Sequence, residues 1–398
     1  MSELETLRSL SPDGRLILLS RALRLFAFGA LSVILVLYFS SLGWSQTRIG
    51  QILALTMLGD ALITLVVTLH ADRLGRVRML QAGALLMVLV GVVLPLTENP
   101  WIVAPIAFFG AISLNGGEVG PFLAIEQAAL THSLADVSHR TTAIAWYILC
   151  GALATALGAL ASGWVGSYRA VFTVYAVCGG LLLIIFSRLS RAVEPAQGES
   201  MAPRFGLHKS RGIVLRLSAL FMLDTLGSGL AVQSFLAYWL HLRFGAPTAV
   251  IGSIFFGFSL LAAFSALVAG RLAKRIGLVN TMVWTHLPGS LLLIALPFTP
   301  SLPGAIVVLL LRGCLSQMDV PARQSYLMAV VEPDERSAAG GIAGLAKSLA
   351  NSISPQITGA LFAAGWLSAP FVAAGTLKVI YDLSLWRSFR GIRPPEER

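Results

Sequence analysis

Charged residues are scarce in this chain. Asp, Glu, Lys and Arg make up only 12% of its 398 residues, whereas soluble domains carry about 25%. The three cysteines, Cys150, Cys178 and Cys314, all lie within apolar runs and lack neighbours at metal-site spacing, so we expect neither a disulfide framework nor a metal centre. The sequence also has no glycine-rich nucleotide-binding loop, which argues against ATP as an energy source.

Apolar residues, in contrast, are abundant and continuous. They make up 56% of the chain, and many runs exceed the roughly 18 residues that cross a bilayer. The pattern predicts an all-α membrane protein with twelve transmembrane helices in two six-helix halves, 1–187 and 212–398, joined by a cytoplasmic linker at 188–211. The predicted spans are 17–41, 46–69, 79–97, 101–130, 141–164, 169–187, 212–240, 248–270, 277–297, 302–331, 338–363 and 367–387.

The basic residues predict the orientation. A net charge of +10 could suggest a nucleic-acid partner, but the positive charges lie in short connections between apolar runs, so no nucleic acid is expected. They concentrate in the N-terminal segment, in 70–78, 188–211 and 271–276, and in the tail, while the other connections carry only Arg48, Arg169 and Arg243. The excess of positive charge on one face predicts a multi-pass membrane protein with both termini cytoplasmic. The short loops favour a bacterial inner membrane, with the membrane of a eukaryotic organelle as the alternative.

The two predicted halves show a weak internal repeat. The polar connection at 70–78 has a partial copy at 270–277, the segment 136–141 matches 332–337, and 158–164 matches 359–366. These matches occur in the same order at a nearly constant offset. Because six spans return the chain to its starting side, the halves form a parallel repeat about an axis along the membrane normal.

The connection at 70–78 carries a recognisable motif. It reads Asp72-Arg73-Leu74-Gly75-Arg76, and with twelve spans and a central linker the whole chain resembles the major facilitator superfamily. The family pattern is Gly-x-x-x-Asp-Arg-x-Gly-Arg-Arg/Lys, and here Thr68 replaces its first glycine. The resemblance implies a transporter without a cofactor, with the first, fourth, seventh and tenth helices lining a central cavity.

The resemblance also implies a cytoplasmic gate. It assigns Asp72 to the N-terminus of the eleventh helix and Arg76 to a charge cluster that latches the outward-facing state. Glu126, near the cytoplasmic end of the fourth span, is predicted to join this cluster through Arg76 and Arg140. The predicted gate residues are Asp72, Arg73, Gly75, Arg76, Glu126, Arg140 and Arg323.

Nine of the charged residues within the predicted spans are assigned to the membrane interior. Each costs about 2.5–3.5 kcal/mol or more at a helix centre, so each needs a partner or a wet cavity. Five of them lie on the first, fourth, seventh and tenth spans, as a polar transport path requires. The nine are Arg24, Asp60, Glu118, Asp224, Arg312, Asp319, Lys347, Lys378 and Asp382; of these, Arg24, Asp60, Arg312, Asp319 and Lys347 are the predicted substrate-cavity residues.

Asp224 is the first candidate for proton coupling, ahead of Glu118. It lies near the middle of the seventh span with no basic residue within a turn, and a desolvated carboxylate can hold or release a proton near neutral pH. The alternative is a tertiary ion pair of Asp224 with Lys347 or Arg312. Those two cations could instead hold an anionic group of the substrate.

Two further pairs are predicted from helical spacing. Lys378 and Asp382 are four residues apart, as are Asp319 and Arg323, and charges at this spacing meet on one helix face. Both pairs are therefore expected to be structural ion pairs within a single helix.

The predicted function is secondary active transport of a small molecule by alternating access. We expect proton-coupled efflux by a monomer in the lipid bilayer, with proton-coupled uptake or uniport of a small metabolite or anion as the alternative. A non-transporting receptor would be expected to carry a sizeable soluble domain, and a membrane-embedded enzyme would need a metal-ligand spacing or a nucleophile motif; the spans show neither.

Overall fold

A computed structural model describes residues 10–120, 122–132, 140–190, 193–194, 208–332 and 335–391. For a few of these residues, including 68–73 and 140–142, only the backbone is described. The described chain is helical and contains no strand, which confirms the all-α prediction. The structure is an all-α membrane protein with two six-helix halves.

Helices in the first half follow the predicted spans, apart from one interruption. They are α1 (Pro12–Ser41), α2 (Gln46–Leu74), α3 (Arg76–Val93), α4 (Pro100–Phe109), α5 (Phe122–His132), α6 (Arg140–Ser162) and α7 (Tyr168–Ser187). A short 3-10 turn, Leu94–Leu96, extends α3.

Helices in the second half repeat this order with one further break. They are α8 (Arg211–Leu230), α9 (Gln233–Phe244), α10 (Thr248–Ile276), α11 (Leu278–Ala295), α12 (Leu302–Gly313), α13 (Asp319–Ala329), α14 (Arg336–Ala363) and α15 (Ala369–Phe389). The 3-10 turn Leu296–Phe298 after α11 repeats the Leu-Pro motif of the turn after α3, which adds a fourth match to the internal repeat.

Three spans predicted to be continuous helices are broken. The fourth span divides into α4 and α5 with the non-helical residues 110–120 between them, the tenth into α12 and α13 around 314–318, and the seventh at Ala231 and Val232. In the fourth span, Gly116 and Gly120 have φ values of 69° and 75°, a conformation that glycine adopts without strain. The sequence carried a signal for this break, since residues 110–121 include four glycines and a proline, but apolar length alone predicts one continuous span.

The described residues form two compact units. One contains those of Met1–Leu42, Gly59–Ala202 and Pro247–Phe256, and the other those of Gly43–Leu58, Pro203–Ala246 and Gly257–Arg398. The units follow the two halves except at the starts of α2 and α10. The start of α2 packs within the second unit and the start of α10 within the first.

Small residues allow helices to pack closely inside each unit. In the first unit, Gly29 and Gly158 lie against the backbone of the facing helix in the α1–α6 contact. In the second unit, Gly227 on α8 lies against the backbone of Ala374 on α15. Close approach of backbones at small residues is the usual way in which helices associate in lipid.

We predict that Gly158→Ala destabilises the protein and that Gly180→Ala does not. A Cβ on Gly158 would overlap the carbonyl oxygen of Phe26, whereas a Cβ on Gly180 meets nothing within 4 Å. Both changes raise helix propensity equally, so the difference reports packing, and overpacking costs about 1–3 kcal/mol. Thermal unfolding of the purified protein in detergent measures the difference. Equal melting temperatures for the two variants would contradict the described α1–α6 contact.

Candidate functional site

A buried ion pair joins the first and fourth spans in the first unit. Arg24 on α1 and Glu126 on α5 are both fully buried. The Arg24 guanidinium donates to the two Glu126 carboxylate oxygens over N···O distances of 2.5 and 2.9 Å. Ser20 donates to the same carboxylate at 2.8 Å and the Tyr147 hydroxyl donates at 2.6 Å. Glu126 is therefore neutralised and saturated with hydrogen bonds inside the bundle.

Glu118 completes this first cluster. Its carboxylate accepts hydrogen bonds from Arg24, at 3.0 and 3.1 Å, and from Arg21. The Arg21 guanidinium also stacks over the Tyr147 ring, 3.7 Å from its centroid. The two arginines of α1 and the two glutamates of the fourth span thus form one balanced set of charges.

The partners predicted for Glu126 are wrong. Its carboxylate was expected to meet Arg76 and Arg140, but its described partners are Arg24, Ser20 and Tyr147. The reason is the break in the fourth span, because α5 begins anew at Phe122 and turns Glu126 towards α1. The Arg140 side chain lies outside the described residues.

Asp60 differs from the other acidic residues of the first unit. It is partly buried on α2, and its Oδ1 accepts a hydrogen bond from the backbone N–H of Gly120 at 2.6 Å. In the described part of the chain it forms no ion pair. Asp60 thus links the end of the non-helical stretch 110–120 to α2.

The predicted gate is only partly within the described structure. The side chains of Asp72 and Arg73 lie outside it. Gly75 caps the N-terminus of α3 with a φ of 94°, and the backbone N–H groups of Arg76 and Val77 donate to the carboxylate of Glu194 at 2.7 and 3.1 Å. This capping by the linker was not predicted from the sequence, and the gate itself stays a prediction.

Asp224 lies at the centre of a second charged cluster, in the second unit. It is 3% exposed, and it accepts hydrogen bonds from Lys378 on α15 at 2.7 Å and from Arg323 on α13 at 2.8 Å. The Nε2 atom of His286 on α11 lies 3.5 Å from the same carboxylate. Asp224 on α8 thus meets side chains from three other helices, α11, α13 and α15.

The partners of Asp224 differ from those considered in the sequence analysis. Asp224 forms tertiary ion pairs, as the alternative for this residue proposed, but with Lys378 and Arg323 and not with Lys347 or Arg312. The expected pair of Lys378 with Asp382 is not seen either among the described contacts. Asp382 instead accepts from His286 at 2.9 Å, because residues four apart on a buried helix are free to meet other helices.

The pair of Asp319 and Arg323 is confirmed. Their side chains meet at 2.6 Å within α13. Arg323 therefore bridges two carboxylates, those of Asp319 and Asp224, and its contacts are those of the buried cluster. Its predicted part in the cytoplasmic gate stays a prediction.

A cavity of about 590 Å³ borders this cluster. Its polar lining comes from α8, α13 and α14. These residues are Asp224, Thr225, Ser228, Arg323, Gln324 and Lys347. Phe221, Val320, Leu327 and Met328 provide apolar walls. The cavity therefore combines charges of both signs with apolar surface, as a site for a small organic molecule does.

The remaining cavity candidates lie elsewhere. Arg312 does not line this cavity, and its guanidinium lies 5.7 Å from the ring centroid of Phe258. Asp319 is buried behind Arg323, while Arg24 and Asp60 belong to the first unit. Only Lys347 of the five predicted cavity residues contributes to the lining of this cavity.

Comparison with known proteins identifies the family. The family model described as Major Facilitator Superfamily matches residues 17–243 and 217–398. The chain belongs to the major facilitator superfamily. It is a membrane transporter, and the family membership confirms the resemblance drawn from the 70–78 motif and the repeat.

Similar proteins extend over almost the whole chain. An uncharacterized membrane protein of Saccharomyces cerevisiae is 27% identical over 96% of this chain and 95% of its own length. The crystal structure of the nucleoside transporter NupG matches with a TM-score of 0.75 at 12% identity, covering 96% of this chain and all of that one. A D-xylose–proton symporter matches with a TM-score of 0.71 at 15% identity over 94% of this chain and 97% of its own.

Outside the spans of this superfamily member, Glu335 caps α8. Its carboxylate accepts hydrogen bonds from the backbone N–H groups of His208, Lys209 and Ser210, the last two at 2.9 and 2.8 Å. Hydrogen bonds from Ser210 and from these backbone groups lower the pKa of Glu335 to about 2. The connection after the tenth span thus holds the beginning of the seventh.

We predict that the Glu335 cap makes the thermal stability of the protein depend on pH in the acidic range. Because the pKa of Glu335 is lowered in the folded protein, its contribution is fully present above the ordinary carboxyl range and is lost as the pH falls towards about 2. Glu335→Gln should therefore lower the melting temperature at neutral pH and flatten its fall at acidic pH. Glu332→Gln, which changes an exposed carboxylate, is the control and should follow the unmodified protein. If the melting temperatures of the unmodified protein and of both variants fall in parallel as the pH is lowered, the cap is contradicted.

We also predict that Asp224→Asn destabilises the protein more than Asp60→Asn does, because of these two residues only Asp224 is held by cations in the described part of the chain. Asp224→Asn removes the charge that holds Lys378 and Arg323, and breaking a buried pair costs about 3–5 kcal/mol. Asp60→Asn keeps an oxygen acceptor for Gly120 and should cost less than about 1 kcal/mol. Thermal unfolding in detergent compares them. A larger loss for Asp60→Asn than for Asp224→Asn would contradict the assigned partners.

Proposed function

We propose that this transporter is a secondary active carrier that couples the movement of a small molecule to protons. The observation that carries the proposal is the position of Asp224. Its carboxylate is held by two cations and also borders the cavity. A substrate in the cavity therefore acts on the same group that a proton would bind.

The cations around Asp224 stabilise its ionised form, so a proton would bind there only when these ion pairs separate during the transport cycle. While Asp224 is ionised, Lys378 and Arg323 neutralise it across α8, α13 and α15. Protonation would remove the charge that holds these three helices together, so proton binding changes the energy of their packing. A coupling residue has to bind its proton with different affinity in the two conformations of the carrier, and a change in helix packing energy on protonation would provide that difference.

The other carboxylates support Asp224 as the coupling residue over Glu118. Glu118 and Asp224 each meet two cations, so their ion pairs do not separate them, and the cavity is what does. Neither Glu118 nor Glu126 borders the cavity of the second unit. A solved structure with the same fold is a D-xylose–proton symporter, which shows that this fold accommodates proton coupling.

Two directions of transport follow from different charges on the substrate. If the substrate competes with the proton at Asp224, each leaves as the other binds, and the proton gradient drives efflux, as expected from the sequence. If the substrate is an anion, it binds together with the proton and the gradient drives uptake. Lys347 favours this second candidate, because it adds a positive charge to the cavity lining.

We place the carrier as a monomer in a bacterial inner membrane, with both termini in the cytoplasm. The concentration of Lys and Arg in the 70–78 connection, the linker and the tail supports this orientation.

We predict proton movement in proteoliposomes that depends on Asp224. A pH-sensitive dye inside the vesicles is followed while drugs, metabolites and oxyanions are added outside. A compound that enters in exchange for protons makes the interior alkaline, and one that enters with protons makes it acidic. Asp224→Asn should abolish the pH change, while Glu98→Gln, at an exposed carboxylate, should preserve it.

The folded state of each variant is confirmed by size-exclusion chromatography before reconstitution. Uptake of a radiolabelled compound without any pH change would show a uniporter and overturn the coupling. A normal pH change in Asp224→Asn would show that a carboxylate other than Asp224 carries the coupled proton.

A further inference from the structure

Among the described charged residues that line the cavity, Lys347 is the one without an ion-pair partner. Lys347 on α14 lines the cavity, and across the described residues it forms no hydrogen bond or ion pair. Arg323 and Lys378, in contrast, are both bound to carboxylates. An ammonium group inside a membrane protein is costly unless water or a partner meets it. The cavity is therefore where a partner for Lys347 would bind.

The charges around the cavity leave Lys347 unbalanced. Asp224 and Asp319 are matched by Arg323 and Lys378, two against two. Asp382 lies behind this set, where it is bound by His286 and Ser290. The lining thus presents one positive charge in excess, and a ligand with one negative charge would neutralise it.

The walls of the cavity indicate what else the ligand contains. Phe221, Leu327 and Met328 present apolar surface, and Thr225 and Ser228 add hydroxyl groups. A volume of about 590 Å³ is in the range of sites for small organic ligands. An inorganic oxyanion would leave the apolar walls without contacts, whereas an organic acid would cover them.

We propose that Lys347 binds the acidic group of an organic anion, a carboxylate or sulfonate with an apolar body, which is the transported substrate. The inference rests on the proposed transport function and names its substrate class. The anion would lie between Lys347 and the apolar wall of α8 and α13. The Thr225 hydroxyl on α8 lines the cavity and would contact the polar edge of the anion.

An anionic substrate also determines the sign of the coupling. The groups that face Asp224 are Lys378 on α15, Arg323 on α13, His286 on α11 and Ser228 on its own helix. When Asp224 takes up a proton, the positive charge of Lys378 and Arg323 is no longer balanced, and the cavity attracts an anion more strongly. Proton and anion therefore bind together, which selects uptake over efflux.

The test uses ligand pairs that differ only in charge. The full chain is purified in detergent, and equilibrium binding is measured by calorimetry for 1-naphthoate and cyclohexanecarboxylate, each compared with its neutral amide. At least one carboxylate should bind ten-fold or more tightly than its amide. Asp224→Asn, which removes the counter-charge of Lys378 and Arg323, should bind it more tightly than the unmodified protein does.

Substitutions locate the charge that is responsible. Lys347→Met should weaken carboxylate binding about 10- to 100-fold, since a charge-assisted hydrogen bond is lost, and should leave amide binding unchanged. Lys347→Arg should retain binding. Lys209→Met makes the same substitution at an exposed lysine and should have no effect. Thermal unfolding verifies that each variant is folded.

The outcomes separate this inference from the proposed function. Equal binding of carboxylates and amides, no binding of either carboxylate, or unchanged binding in Lys347→Met would overturn the anion site. Proton-coupled transport of a neutral or cationic compound in the vesicle assay would then still stand. If no compound moves protons in that assay but Lys347 binds carboxylates as expected, the coupling fails and the anion site remains.

Discussion

A charge inside a bilayer has to be neutralised, and this requirement organises both units of the protein. Arg24 and Glu126 are fully buried and satisfy one another. Asp224 is satisfied by Lys378 and Arg323. These contacts join helices that are far apart in the sequence. They fix the first span to the fourth in one unit, and the seventh to the tenth and twelfth in the other.

The two clusters are related by the repeat, with their signs exchanged. Arg24 and Asp224 are about 200 residues apart, as are Glu126 and Arg323, so equivalent spans carry the two partners of each pair. The first unit has its cation on the first span and its acid on the fourth, while the second unit has the reverse. Either arrangement of acid and cation on the two equivalent spans forms an ion pair. Only the arrangement of the second unit places the acid on the seventh span, at Asp224.

The sequence predicted the architecture because long apolar runs and positive loops have few alternative explanations. It also identified Asp224, Glu118 and Lys347 as charges that needed a partner or a wet cavity. Apart from the pair of Asp319 and Arg323, it failed on the partners themselves, because these depend on helix rotation, which hydropathy does not encode. His286 is an example, since its only signal was a polar side chain in a span otherwise free of charge. The breaks in the fourth and tenth spans were missed because the apolar runs on both sides are long, although Gly116, Gly120 and Pro121 are residues that interrupt helices.

Those breaks have a consequence for how the chain enters the membrane. α4 and α12 have ten and twelve residues, about half of what spans the hydrocarbon. Neither helix can cross by itself, and the unwound backbone that follows it cannot face lipid. During synthesis these two spans must be received by helices already in place, so the third span before α4 and the ninth before α12 act as their scaffold.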